Sequence, residues 1–174
     1  MNTCRVVKFQ STVICLVVCS IVLLVSGCAN FLQPEIGATA RREARIELAD
    51  DGRQDGLLST KDVELAYSLS GSGNAFNMSG EIAFKQSLTY SFGVISRFVL
   101  RMSFLDDQNR VIETVDITPL YSYLGSVPDQ LPIRAASTRP TGATGIAFNY
   151  YGVFKDNAQH RGGDQWEIFY FPFD

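Results

Sequence analysis

"RFVLRMSFLDDQNRVIETVDI", Arg97 to Ile117, decides the fold. Phe98, Leu100, Met102 and Phe104 alternate with Val99, Arg101, Ser103 and Leu105. In extended chain successive side chains point to opposite sides, so period 2 places the first set on one buried face. Arg101 and Ser103 then face water or a sheet edge. Asp106 to Asn109, "DDQN", supplies the turn. Val111, Val115 and Ile117 continue the apolar face on the return strand, interrupted by Glu113. Pro119 ends the pairing because it has no N–H to give a ladder.

The same period governs the chain upstream. Val63, Leu65, Tyr67 and Leu69 alternate with Glu64, Ala66 and Ser68. "GSGN", Gly71 to Asn74, is a turn, and Phe76, Met78, Ile82 and Phe84 keep one face of the next strand. Gly80 stands where an apolar residue is due, which signals a bulge or a close backbone approach.

Downstream, "SVPDQLPIR" and "STRPTG" are proline-rich and read as a long connection across the sandwich, with Ile133 in a short edge strand. "ATGIAFNYYGVF" and "DQWEIFYFPF" supply the last two strands, expected to pair as a hairpin that ends by Phe171, since Pro172 cannot donate. Trp166, Ile168 and Tyr170 share one face of the final run, and Phe169, Phe171 and Phe173 the other. A strand apolar on both sides is either central or a half-exposed binding edge. The central position is the expectation. Many short strands with frequent turn signals give an all-β, single antiparallel β-sandwich, with a closed barrel as the alternative.

"FVLRMSFLDDQNRVIETV" followed by "PTGATGIAFNY" resembles the strand–acidic turn–strand and the Pro-x-Gly-x-x-x-x-x-Phe stretch of FxLYD-type, immunoglobulin-like domains of bacterial cell-envelope proteins. The resemblance covers roughly residues 62–155. Phe104-Leu105-Asp106 lacks the tyrosine of that family. It implies an immunoglobulin-like sandwich and no common chemistry, because fold does not dictate function.

The front of the chain speaks to location. Arg5 and Lys8 precede "VICLVVCSIVLLV", Val13 to Val25, thirteen residues that are short for a bilayer span of about 20. They suit the apolar core of a secretory signal. Val25-Ser26-Gly27-Cys28, with Leu24 before it, resembles the lipobox of bacterial lipoproteins. That resemblance implies cleavage before Cys28, a diacylglyceryl thioether on its sulfur and a further acyl chain on the new amino group. Two or more chains anchor stably where one does not. Ala29, rather than an aspartate, points by the same family's sorting rule to the outer membrane. Residues 1–27 are then the signal peptide, 28–61 the lipidated N-terminus and tether, and 62–174 the β-sandwich domain.

The tether holds "TARREARIELADD", Thr39 to Asp51, whose Ala, Arg, Glu and Leu favour a helix. An edge strand is the alternative, and "DGRQDG" breaks any regular element. Three of the four cysteines, Cys4, Cys15 and Cys19, leave with the signal and Cys28 becomes the anchor. No thiol pair or cysteine-type zinc site then remains. The chain from Cys28 onward carries 13 basic and 18 acidic side chains, dispersed, so nucleic acid is not the expected partner. The expected partners are the membrane, through lipid on Cys28, and an unidentified envelope protein.

Chemistry is sparsely marked. His160, the single histidine, lies in "DNAQHRGGDQ" and reads as a solvated loop residue. A serine nucleophile paired with His160 would need an orienting acid, and no G-x-S-x-G elbow marks one. "DGRQDGLLSTKD", Asp51 to Asp62, resembles an EF-hand loop through Asp51, Asp55, Gly56, Ser59 and Asp62. Arg53 occupies a position where that loop wants a carboxylate, and Asp62 is short for its bidentate glutamate. No catalytic residue, metal site or cofactor is assigned. The sequence reading is a non-enzymatic, membrane-anchored interaction or scaffold module; the alternatives are a periplasmic hydrolase using His160 and a small-molecule or lipid carrier subunit.

Overall fold

The alternating Phe98–Phe104 stretch forms the middle of β5 (Val94–Leu105) in a computed structural model describing residues 32–49, 52–121, 126–156 and 164–174. Phe98, Leu100, Met102 and Phe104 are all at most 2% exposed. β5 is flanked by β6 (Val111–Asp116) and β8 (Gly145–Lys155). Along its far side β8 carries two short partners end to end: β1 (Ile46–Glu47) at Gly145–Ile146 and β9 (Gln165–Tyr170) at Tyr150–Lys155. The second sheet runs in the order β2 (Gly52–Ser59), β3 (Val63–Ser72), β4 (Ala75–Phe84), β7 (Gln130–Thr138). Every pairing is antiparallel. The helix α1 (Gln86–Ser91) links β4 to β5.

The chain is therefore all-β, two antiparallel sheets packed as a sandwich. It crosses between sheets after β1, β4, β6 and β7. β7 returns beside β4 and β8 returns beside β5, which is the Greek-key connection of immunoglobulin-like sandwiches. Ring contacts join the layers: Tyr67 with Phe148, Phe76 with Phe104, and Phe84 with both Phe98 and Phe154. Each such pair adds about 0.5–1.5 kcal/mol beyond its area burial. The expected faces of β3 and β4 are the observed ones, with Val63, Leu65, Tyr67, Leu69, Phe76, Met78, Ile82 and Phe84 all buried. Gly80 is a close approach: a Cβ there would lie 2.5 Å from the Ala66 carbonyl oxygen.

Several expectations are corrected. The segment read as tether contributes β1 and all of β2, and the compact unit runs from Pro34 to Asp174 rather than from residue 62. The helix expected within Thr39–Asp51 is one 3-10 turn, Arg42–Ala44, followed by an edge strand. "DGRQDG" does not break the chain. From Gly52 on it is strand, because Tyr67 of β3 lies across Gly56 and fills the space its missing side chain leaves. The edge strand around Ile133 is nine residues long and pairs with most of β4.

The return strand does not keep Val111 on the inner face. A register shift pairs Phe104 with Glu113 but Leu105 with Val111, so Ile112 is the extra residue of a bulge and Val111 turns outward. There a second small core forms from Ala40, Leu105, Val111, Ala147 and Phe173. It is closed by the two ends of the unit, where Ala40 bridges to Phe173. Ser103 also differs from expectation. It is fully buried, and its hydroxyl lies 2.8 Å from that of Thr114.

Phe104→Ala is expected to cost about 3–5 kcal/mol in denaturant melts, as for other buried Phe truncations. Ser103→Ala leaves the Thr114 hydroxyl unpartnered and is expected to cost about 1 kcal/mol. Equal effects of the two would show the register to be wrong.

Candidate functional site

Cys28, with Val25 to Gly27, and His160 lie outside the described residues. So does Asp51 of the EF-hand-like stretch, whose remainder is mostly strand. Asp55 there pairs with Arg53 at 2.9 Å, and hydrogen bonds from Ser68 and Arg53 hold its carboxyl below the ordinary range. Among the described residues no group of three or more His, Cys, Asp and Glu side chains could hold a metal ion. Nor is any described helix long and apolar enough to cross a membrane. A cleft of about 20 Å³ lined by Leu48, Gln54, Leu69, Phe76 and Arg139 has room for little more than one water.

What the fold does present is a strand edge. β9 was expected to lie centrally. Among the described residues it pairs with β8 alone and is an edge strand. Only Ile168 of its six residues is buried; Trp166 on the same face is 49% exposed, and Phe169 on the outer face is 70% exposed. The expected hairpin with β8 is present, and the regular pairing stops at Tyr170, ahead of Pro172. Asp156 N–H donates to the Asp164 carbonyl at 3.1 Å. By the alternation of an antiparallel ladder, Trp166, Ile168 and Tyr170 then exchange their bonds with β8. The backbone N–H and C=O groups of Gln165, Glu167 and Phe169 point to the open side, where no described residue pairs with them.

The other edges are guarded. Gly37 and Ala38 bond to both backbone groups of Val111 at the start of β6, each at 2.8 Å. Gln54 of β2 turns its side-chain amide onto the carbonyl of Glu47 and the N–H of Ala49, and Arg53 and Asp55 stand exposed beside it. β7 carries Pro132, and β1 is only two residues long. Charges, proline and brevity are the usual means by which proteins blunt sheet edges. β9 shows none of them beyond the single carboxylate of Glu167.

Two polar groups fix the frame that holds this edge. Arg45, its side chain 11% exposed, donates to Glu47 from Nε at 2.7 Å and Nη2 at 3.0 Å. It also donates to Asp106 O at 2.7 Å, Asn109 Oδ1 at 2.8 Å and Thr144 Oγ1 at 2.8 Å. Its hydrogen bond with Glu47 raises the guanidinium pKa and lowers that of the carboxyl. Tyr150 of β8 links the sheets, its hydroxyl 2.7 Å from that of Thr60 in the β2–β3 turn. Its ring stacks between Phe98 and Tyr170. Burial pushes the Tyr150 hydroxyl up to about 12.

The open edge left only a partial signal in the sequence: a terminal strand, apolar on both faces, stopped by Pro172. Comparison with protein families, with curated proteins and with solved structures finds no match for this chain.

The raised Tyr150 pKa has a signed consequence. The neutral phenol stabilises the fold fully below the unfolded value of about 10, and that contribution is lost as pH rises toward the folded value of about 12. Wild-type melting temperature is therefore expected to fall across that alkaline window. Tyr150→Phe should be less stable near neutrality by roughly 1 kcal/mol, for the lost Thr60 bond, and should fall less steeply. Parallel alkaline slopes would show that Tyr150 is not the buried phenol.

Proposed function

We propose that the chain is a lipid-anchored protein of the bacterial outer membrane whose β-sandwich is a non-catalytic interaction or scaffold module. The observation that carries the anchor is Val25-Ser26-Gly27-Cys28 directly behind thirteen apolar residues and a basic start. What supports the interaction reading is the β9 edge, where Trp166 and Phe169 are exposed on the two faces beside unpaired backbone groups, since aromatic surface next to an open strand edge suits contact with another molecule.

Cys28→Ala is expected to move the protein out of the membrane fraction or leave it at precursor size, read by fractionation and intact mass. Normal processing and full membrane retention would refute the anchor. His160→Ala is expected to leave melting temperature and cellular function unchanged within about 0.5 kcal/mol of stability. A large functional loss with the fold intact would favour the hydrolase instead.

A further inference from the structure

We propose that the open edge of β9 binds an extended segment of a different protein as an added antiparallel strand, with a basic side chain of that segment opposite Glu167. This deepens the interaction reading and rests on that reading, but not on the lipid anchor. Strand addition draws affinity from main-chain bonds and specificity from alternate side chains. β9 offers both. Gln165, Glu167 and Phe169 aim their N–H and C=O groups outward, and those groups have no partner among the described residues.

The side chains define the incoming strand. On the inner face Trp166 and Ile168 set the surface, with Trp166 half exposed, so the residues opposite them are apolar. On the outer face Glu167 lies between Gln165 and Phe169. Tyr151 of β8 sits across from Phe169, with Arg97 5.9 Å from its ring centroid. The residue opposite Phe169 is thus apolar or aromatic, and the one opposite Glu167 is lysine or arginine. Glu167 and Asp164 are the charged groups of this edge, and both are acidic and exposed.

The same charge argues against a second copy of this chain as the occupant. The two-fold register that would pair all three outward residues, Gln165 with Phe169 and back again, sets Glu167 opposite its own image. Like charges directly opposite destabilise a strand pair. The other edges each carry a feature that disfavours an added strand: Pro132 in β7, the bonded Gln54 side chain in β2, the paired Val111 in β6 and the brevity of β1.

The experiment uses the full folded chain and a blocked heptapeptide with one central lysine opposite Glu167, valine opposite Trp166, Ile168 and Phe169, and threonine elsewhere. Three companions are the same peptide N-methylated at alternate residues, which removes the N–H groups of one edge, a version with glutamate for lysine, and the Glu167→Lys protein. Amide exchange is read residue by residue by NMR. The expected result is slowed exchange at Gln165, Glu167 and Phe169 with the lysine peptide, and no change at Trp166 and Ile168, already bonded to β8. Methylation should abolish the effect. Glu167→Lys should weaken the lysine peptide about tenfold and restore binding to the glutamate peptide. No slowing at high peptide concentration, or equal slowing by the methylated peptide, would overturn the proposal. So would slowing that grows with protein concentration in the absence of peptide, which would make the occupant a second copy. Failure here leaves the Cys28 and His160 tests to decide the interaction reading separately.

Discussion

Phe84 stands edge-on to Phe98 and Phe154, with ring centroids 5.3 and 5.2 Å away. It is the last residue of β4, and the two rings it meets belong to β5 and β8 in the opposite sheet. A sheet with one apolar face is stable only against another layer, and this triple contact fastens the layers where the chain passes between them through α1. Leu88 of α1 is 2% exposed, and Phe92 leans on Phe154 from the same end. Every other inter-sheet ring contact follows from the register that places Phe84 inward. A slip of one residue would present Ala83 instead and turn the whole face of β4 to water.

The centre of the fold was legible because its strands are half-buried and antiparallel, so the alternation of Phe98 to Phe104, Val63 to Leu69 and Phe76 to Phe84 is written directly in the chain. The rest was decided at a distance. Arg45 looks like a helix residue locally, yet its partners Asp106, Asn109 and Thr144 are 61, 64 and 99 residues away. No local propensity records them. Ser103 was placed on the water side by alternation, but the outer face of β5 has cover of its own. At Ile112 the bulge moved Val111 across the sheet, a one-residue event that periodicity cannot see. Of the candidate site, the aromatic character of β9 was plain and its edge position was not. A strand apolar on both faces suits the middle of a sheet, whereas here Ile168 alone is fully buried.

The outer face of the β5–β8 sheet is thus a second, smaller layer. Ala38 and Ala40 from one end of the unit and Phe171 and Phe173 from the other meet over Leu105, Val111 and Ala147. Arg45 anchors the crossing, and Gly145 has no side chain because a Cβ there would come within 2.9 Å of the guanidinium carbon. The first strand pairing and the last are therefore made within one patch, and the fold closes on itself only when both ends are present.

That closure has a mechanical meaning. A pull arriving through residue 34 meets the unit first at Gly37, Ala38 and Ala40, whose backbone bonds to Val111 and Asn109 are each 2.8 Å. The next holds are Arg41 on the Pro172 carbonyl at 2.8 Å and the five bonds of Arg45. These holds lie in series ahead of β2, and none of them involves the aromatic core. Under load the patch at the chain ends would yield bond by bond and could close again on release. The Phe84 contacts would still hold the two sheets together, so the unit has a built-in order of yielding, from its chain ends inward.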